Sequence, residues 1–563
     1  HVRSRRQRQM CIRDRNIPST AIFDYPTPFH LLRILKQRPQ TIDDIPPPWS
    51  SSHLSHAGVE AGHALLGSTW RFPGMQVSGK DVANVGTACG DAINLARFIR
   101  PGFNNSELSG GCLHGGFVAW ADRFDNNFFK ISPGQALAMD PQQRLILECG
   151  YASMSTAISN HSGHVQASGI FLGIMNVDFK PSDSSVYDAT GRAISIAAGR
   201  LAFHLGMQGP CMSIDTACSS ALVAVHCASQ AVRAHECCAA LSVAVNLVLA
   251  PSASIAFQRA GMLSPDGRCK TFDHQANGYV RGEGIGAQVV SSRVQGRIHL
   301  KASLVKCDGR SASLTAPNGN AQTDLIKETL SLSTSTSQYA EMVEAHGTGT
   351  SLGDPIEVCA MNRAFEGQHH TLSGVKANIG HLESAAGMAG MASMITQIHQ
   401  ASSFPNGKLK VVNSLLYERP RDKQSALPTQ RYQHDTTGSS GVSSFGYSGT
   451  IAHLRMRIAM VGASLPPSLR APCSPRYVGR CFSLHEKMHP FVLDRFGDEQ
   501  GTTFLSPLVG EVMALVQDHL IRGKIVFPAA GYMEMASAAV SAAGISDAAM
   551  LERIFFLQAM VID

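Results

Sequence analysis

The chain has 563 residues, which at roughly 100–200 residues per domain excludes a single small domain and leaves room for several units. A hydrophobic fraction of 44%, a charged fraction of 16% and 51 glycines exclude a disordered or fibrous chain and imply large cores with many tight turns. The formal charge of +6 belongs to one place: residues 1–15 carry six Arg against one Asp, and without them 42 basic and 41 acidic groups remain.

That basic tail, 1–15, reads as a solvated extension or a non-native addition. No aromatic residue interleaves with its arginines and no basic patch follows, so nucleic acid is not an expected partner. The chain begins with His1, and an upstream start is expected. Residues 16–36 combine a proline turn, Phe23-Asp24-Tyr25-Pro26-Thr27-Pro28, with an amphipathic stretch. Residues 37–56 hold Pro46-Pro47-Pro48 and a Ser/His run, a composition that resists helix and strand and reads as a linker. A block dense in Gly, Ala and Ser follows, taken here as 57–460. Pro466, Pro467, Pro472 and Pro475 mark 461–485 as a second linker, which leaves 486–563 as a separate segment.

Fourteen cysteines show neither a disulfide framework nor a CxxC pair and read as reduced, mostly buried thiols in a cytoplasmic compartment. No apolar run of 18 residues and no signal core occur, so a membrane is not an expected partner either. Within the large block, 169–173 and 240–249 read as strands, and 219–232 and 385–399 as helices. Such alternation predicts an α/β architecture.

Asp215-Thr216-Ala217-Cys218-Ser219-Ser220 puts a thiol between a strand and a small-residue helix. The N–H groups and partial positive charge of a helix N-terminus are expected to lower the pKa of Cys218 and to hold a thioester oxygen. A lone cysteine there is more often a small core residue. Two further motifs change the balance: Glu344-Ala345-His346-Gly347-Thr348-Gly349-Thr350-Ser351-Leu352-Gly353-Asp354-Pro355, and Lys376-Ala377-Asn378-Ile379-Gly380-His381-Leu382-Glu383. Glycines beside each histidine let the backbone turn tightly and a substrate come close.

With these three blocks the chain resembles the ketosynthase domains of type I modular polyketide synthases, members of the thiolase-like superfamily. The resemblance extends from Trp70-Arg71-Phe72-Pro73-Gly74 through Asp140-Pro141-Gln142-Gln143-Arg144 and Leu314-Thr315-Ala316-Pro317-Asn318-Gly319 to Gly441-Val442-Ser443-Ser444-Phe445-Gly446. It implies a layered α/β/α/β/α ketosynthase that catalyses decarboxylative condensation. Cys218 would carry the acyl chain, and His346 and His381 would donate hydrogen bonds to the enolate oxygen. By the same resemblance Lys376 and Glu383 support the histidines, Thr348 and Thr350 contact the phosphopantetheine arm, and Phe445 gates the acyl pocket. No metal and no bound cofactor are implied, since the substrates ride on the phosphopantetheine of an acyl carrier protein. Where the family reads Asn, this chain has Ile451, which puts the neighbouring glycine loop in question.

Two flanks carry further resemblances. Residues 16–36 resemble the C-terminal end of an acyl carrier protein. His519, Gly523 and Pro528 follow the HxxxGxxxxP pattern of a polyketide dehydratase, which implies His519 as general base in an incomplete α+β hotdog segment. The partner acid is expected beyond Asp563, so no dehydratase activity is expected of the segment alone. The short stretch before His489 leaves no room for a resident acyltransferase, and a separate, trans-acting one is expected; a homodimer is also implied. Two other readings stay open: a fatty-acid or polyunsaturated-fatty-acid synthase ketosynthase, and a non-elongating ketosynthase-like scaffold.

Overall fold

The structure, a computed structural model, describes residues 63–73, 93–95, 114–159, 165–179, 185–292, 298–333, 341–366, 368–416, 425–433, 439–458, 477–482, 494–498, 501–505, 516–542 and 561–562. The tail, the carrier-like stretch and the first linker lie outside them.

One eleven-stranded mixed sheet organises the large block. Its strands are β1 (His63–Arg71), β2 (Ser168–Gly173), β3 (Cys211–Ile214), β4 (Ala239–Asn246), β5 (Gly284–Ser291), β6 (Ile298–Cys307), β7 (Glu341–Glu344), β8 (His370–Ser373), β9 (Ser425–Ala426), β10 (Ser439–Phe445) and β11 (Thr450–Ile458). Their order is β9-β8-β7-β10-β11-β6-β1-β5-β4-β2-β3. Read outward from its middle, each half repeats one pattern: β1-β5-β4-β2-β3 on one side and β6-β11-β10-β7-β8 on the other. In each half the two outermost pairings are parallel and the inner ones antiparallel. The block is therefore an internal duplication joined where β1 pairs with β6.

Between the halves lie two buried helices, α3 (Ser220–Arg233) and α7 (Ala386–Gln400). Helix α3 packs on β2 and β4, α7 on β7 and β10, and the two touch each other. Their Ala, Gly and Met content has a geometric reason. A Cβ at Gly387 would lie 2.7 Å from Leu222 Cγ, so a larger residue would push the helices apart. Helices α1 (Pro141–Ser159) and α2 (Ile194–Leu205) cover the outer face of the first half, a short helix α4 (Ser252–Arg259) follows β4, and α5 (Gly319–Ser331) with α6 (Gly353–Phe365) covers the outer face of the second half. This gives the expected α/β/α/β/α layering. Strands covered on both faces carry continuous rather than alternating apolar runs, and all eight residues of β5 are buried.

Part of the expected linker 461–485 packs against this body. Arg480–Cys481 pairs with Arg123–Phe124, the Phe482 N–H donates to the Asp122 carbonyl at 2.7 Å, and the Tyr477 hydroxyl donates to the Glu148 carbonyl at 2.8 Å. Phe482 is buried against Phe124, and the buried Arg144 guanidinium donates to its carbonyl. In the last segment, Leu520–Ile521 and Lys524–Val526 form a two-residue hairpin with Val561–Ile562 alongside, and α8 (Ala529–Ala542) follows. Both loop residues, Arg522 and Gly523, have positive φ (52° and 75°), the conformation such a hairpin requires.

Phe482→Ala is expected to remove roughly 3 kcal/mol of stability and lower the thermal unfolding midpoint, measured by calorimetry. Val478→Ala, in the same segment but exposed, is expected to leave the midpoint almost unmoved.

Candidate functional site

Duplication places the site. In the first half the chain leaves β3 and reaches α3 through a short 3-10 turn, Ala217–Ser219; in the second it leaves β8 and reaches α7 through Glu383–Ala385. These turns touch each other. Each holds a non-glycine residue with positive φ three positions before its helix, Ala217 at 55° and Glu383 at 46°. Such residues cost about 1–3 kcal/mol each. The two helix starts thus bring Cys218 and His381 together, with His381 Nε2 3.0 Å from Cys218 Sγ.

His346 follows the end of β7 and joins them: the imidazoles of His346 and His381 lie 5.4 Å apart, nearly perpendicular at 87°. Backbone N–H groups fix the protons on both rings. The N–H of Phe445 donates to His346 Nδ1 and that of Glu383 donates to His381 Nδ1, each at 3.3 Å. An Nδ1 that accepts carries no proton, so the neutral ring must carry it on Nε2. Burial, reinforced by the Lys376 charge, holds both histidines well below the usual imidazole pKa, which keeps them neutral. Two neutral Nε2–H donors therefore occupy a buried site.

The thiol departs from expectation. Burial pushes Cys218 up to about 12 and the Glu383 carboxylate adds to this, outweighing Lys376 and the backbone N–H groups of Tyr447 and Cys218 that draw it down. The helix-end donors are present but lose to desolvation, so the resting residue is a thiol rather than a ready thiolate.

Lys376 is buried and its Nζ donates to the His346 carbonyl at 2.5 Å. Glu383 works through two groups. Its backbone sets the His381 tautomer while its carboxylate takes Arg281 Nε at 2.5 Å and Nη2 at 3.0 Å, with Asn176 donating at 2.7 Å. Phe445 is buried, its ring 5.7 Å from that of His346. The Thr348 and Thr350 hydroxyls lie 3.2 Å apart, and Thr350 also accepts the Gly353 N–H at the start of α6. His519 stands apart in the C-terminal segment, exposed, with Nδ1 2.6 Å from the Val526 carbonyl.

Four supports escaped sequence reasoning: Arg281, Asn176, Glu357 and Asp354. Glu357 accepts the N–H groups of His346 and Gly347 at 2.7 and 2.8 Å, and Asp354 accepts those of Gly349 and Phe272 at 3.0 and 2.8 Å. Burial raises Glu357 to about 7 and Asp354 to about 6. Their signal was present, since both are acids embedded in a small-residue motif at the start of a helix. Ile451 proves compatible with the glycine loop: it is fully buried beside Leu325 and Phe445, while backbone bonds Gly446 N–H to Thr450 O and Gly449 N–H to Gly446 O hold the turn.

The sequence matches the family description "Beta-ketoacyl synthase, N-terminal domain" over 95–295, "Beta-ketoacyl synthase, C-terminal domain" over 298–410 and "Polyketide synthase dehydratase domain" over 489–563. It is 41% identical over 370 residues to a phenolphthiocerol/phthiocerol polyketide synthase of Mycobacterium tuberculosis, covering 60% of this chain and 17% of that one. To pikromycin polyketide synthase component PikAII of Streptomyces venezuelae it is 35% identical, over 80% of this chain and 13% of the other. The chain thus spans under a fifth of the length of these relatives. Among solved structures, the ketosynthase from module 6 of the bacillaene synthase from Bacillus subtilis 168 matches with a TM-score of 0.64 and 31% identity, over 71% of this chain and 72% of that one. The oxazolomycin ketosynthase domain OzmH KS7 of Streptomyces albus JA3453 matches with a TM-score of 0.64 and 26% identity, over 72% and 75%.

A thiol this raised predicts its alkylation profile. The rate of iodoacetamide labelling at the Cys218 peptide, followed by mass spectrometry, should climb about tenfold per pH unit from 6 to 9 without a plateau. A plateau below pH 8 would contradict the assigned protonation state.

Proposed function

Because the chain belongs to the ketosynthase family of type I modular polyketide synthases, we infer that Cys218, His346 and His381 carry out its condensation chemistry. The observation that supports this most is the sulfur 3.0 Å from one imidazole, with a second alongside and both rings held as Nε2–H donors by backbone N–H groups.

Acyl transfer comes first. Cys218 Sγ attacks the carbonyl of an acyl thioester on a carrier protein; a new C–S bond forms, the carrier's C–S bond breaks, and the cysteine proton ends on the departing thiol. The N–H groups of Cys218 and Tyr447 that point at the sulfur are placed to hold the carbonyl oxygen. A malonyl-type thioester then takes its place with its carbonyl oxygen on the two Nε2–H groups. Its carboxylate leaves as CO2, and the electron pair left behind makes an enolate whose oxygen they stabilise. The enolate carbon attacks the acyl carbonyl to form the new C–C bond, the C–S bond to Cys218 breaks, and the released thiolate takes up a proton from solvent. Lys376, Glu357 and Glu383 position the histidines, and Thr348 and Thr350 contact the pantetheine arm near Phe445. Each step uses carrier-bound thioesters and this chain's own groups, without a resident cofactor. Both histidines being present favours this over a non-elongating scaffold, and the relatives are polyketide rather than fatty-acid synthases.

Modular polyketide ketosynthases work with acyl carrier protein domains. We assign residues 16–36 to the end of such a domain, 57–460 to the ketosynthase and 486–563 to the dehydratase portion. There the Nδ1–H of His519 bonds a carbonyl and leaves Nε2 as the base. The ketosynthase match ends at 410 and the dehydratase match starts at 489, too close for an intervening domain of roughly 100–150 residues; a separate acyltransferase would then load the extender. Free cysteines fit a reducing, cytoplasmic setting, and no helix among the described residues is long and apolar enough to cross a membrane.

A homodimer is supported by β3. Among the described residues it is a sheet edge, with Met212 43% exposed, only a few residues before Cys218. Pro210 and Ile214 give their carbonyls to β2 and the residue that follows it, so Cys211 and Ser213 turn their backbone groups outward, toward a second copy.

Cys218→Ala should abolish acylation by an acyl thioester. His346→Ala should keep acylation and lower malonyl-dependent CO2 release about 100- to 1000-fold, while His381→Ala should slow both; acylation with no CO2 release in the unmodified protein would favour the scaffold instead. Cys211→Pro, which deletes an outward N–H from the edge strand, should shift the chain toward monomer in light scattering.

A further inference from the structure

Segment 269–273 has no assigned role in acyl transfer or condensation, yet it packs against the loops that carry them. Thr271 is fully buried and touches two of these loops at once. Its Oγ1 donates to the Gly347 carbonyl at 2.7 Å. Its Cγ2 methyl lies where a Cβ at Gly347 would come within 2.8 Å and one at Gly374 within 2.7 Å, so both glycines leave room for this one side chain. Gly349 makes the same allowance for the neighbouring backbone, since a Cβ there would lie 2.5 Å from the Lys270 nitrogen. Gly347 follows His346, and Gly374 lies two residues before Lys376, whose Nζ donates to the His346 carbonyl. One threonine is therefore wedged between the loop that delivers His346 and the loop that delivers its lysine.

The wedge is itself held. Phe272 has a φ of 63°, a conformation that a bulky residue keeps only where its surroundings impose it. Its N–H donates to Asp354 Oδ2 at 2.8 Å, its carbonyl accepts the Asn413 N–H at 3.0 Å, and it is buried in one core cluster with Val343, Ala345 and Leu372. Asp273 Oδ2 accepts the N–H groups of Lys410 and Val411 at 2.8 and 3.0 Å, which ties the segment down on its other side. Gly347, with a φ of 45°, is then gripped at both ends: Glu357 takes its N–H at 2.8 Å and Thr271 binds its carbonyl. A glycine has more backbone freedom than any other residue, so this grip decides where the preceding residue, His346, can point. Among the described residues no hydrogen bond of Thr271 or Phe272 reaches the turn that carries Cys218.

We propose that Thr271 is a positioning residue for the second half of the reaction alone: its hydroxyl and methyl hold the His346 loop so that the Nε2–H meets the developing enolate, while acyl transfer to Cys218 proceeds without it. The proposal rests on the reading of His346 as an enolate donor and adds the residue that aims it.

The test uses the full chain with the N-acetylcysteamine thioesters of butyrate and of malonate. Mass gain on the Cys218 peptide follows acyl transfer, and CO2 release follows decarboxylation. Thr271→Val keeps the shape of the side chain and removes the hydroxyl. It should lower kcat for CO2 release about tenfold while the KM for the malonyl thioester and the acylation rate stay within about twofold, and Thr271→Ser should recover most of the loss. Combined with His346→Ala, Thr271→Val should add less than about twofold to the loss from His346→Ala alone, because a residue that acts through His346 then has nothing to aim. Equal slowing of acylation and CO2 release overturns the proposal, as do losses that multiply in the double variant. If Thr271→Val fails to fold, Thr271→Ala, which removes the hydroxyl without adding a methyl, carries the same comparisons. CO2 release unchanged in Thr271→Val sinks the positioning role only; full CO2 release in His346→Ala sinks the enolate-donor reading and the proposal with it.

Discussion

Cys218 Sγ and His381 Nε2 meet because two helix starts meet, and everything else in the site is arranged around that junction. Helices α3 and α7 run through the middle of the molecule, covered by a half-sheet on each side, so their first turns cannot be solvated and must satisfy one another. The turns that precede them carry strain at Ala217 and Glu383. Strain at equivalent positions of a duplicated framework indicates a shared requirement: the chain must turn sharply from strand to helix where the two halves meet. Around that turn the copies present different groups from different positions, the thiol one residue after Ala217 and the imidazole two residues before Glu383.

Burial makes that space useful and also expensive. Lys376, Arg281, Glu344, Glu357 and Asp354 are all buried, and a buried charge is tolerated only where partners surround it. The partners here are largely backbone N–H groups of the catalytic loops. Glu344 takes the Val375 N–H at 2.6 Å and Glu357 those of His346 and Gly347. The acids hold the loops in place, and the loops deliver N–H groups to the imidazole Nδ1 atoms. Desolvation that raises the thiol also lowers the histidines. The same dry surroundings thus cost nucleophilicity at rest and secure neutral donors for the enolate.

How much of this was legible depended on scale. Motif blocks pointed to Cys218, His346 and His381 because each chemistry-bearing residue stands in an unusual local setting of Gly, Ala and Ser, and those settings survive as turns with positive φ at Gly347, Gly349 and Gly380. Strands and central helices were readable from continuous apolar runs. What sequence could not give was the sign of the thiol's shift, because the helix end is local whereas burial is contributed by residues far along the chain, Ser444 among them, 226 positions off. Arg281 was hidden for a similar reason: its carboxylate partner is 102 positions off. The duplication was equally silent, since the two halves share an order of strands and not a run of residues.

The segment after the ketosynthase shows where composition misleads. Prolines around 466–475 argue for a free connector, yet just past the last of them the chain is bonded to the body again through Tyr477, Val478, Arg480 and Phe482. These contacts fall on α1 and on the 122–125 turn, and the first turn of α1 holds Gln142, whose amide donates to the Asn176 carbonyl. Asn176 in turn donates to the Glu383 carboxylate. A path of direct contacts therefore runs from the docked segment to the residue that sets the His381 tautomer. The aromatic residues beyond the prolines, Tyr477 and Phe482, supply the contacts that dock this segment at a defined place.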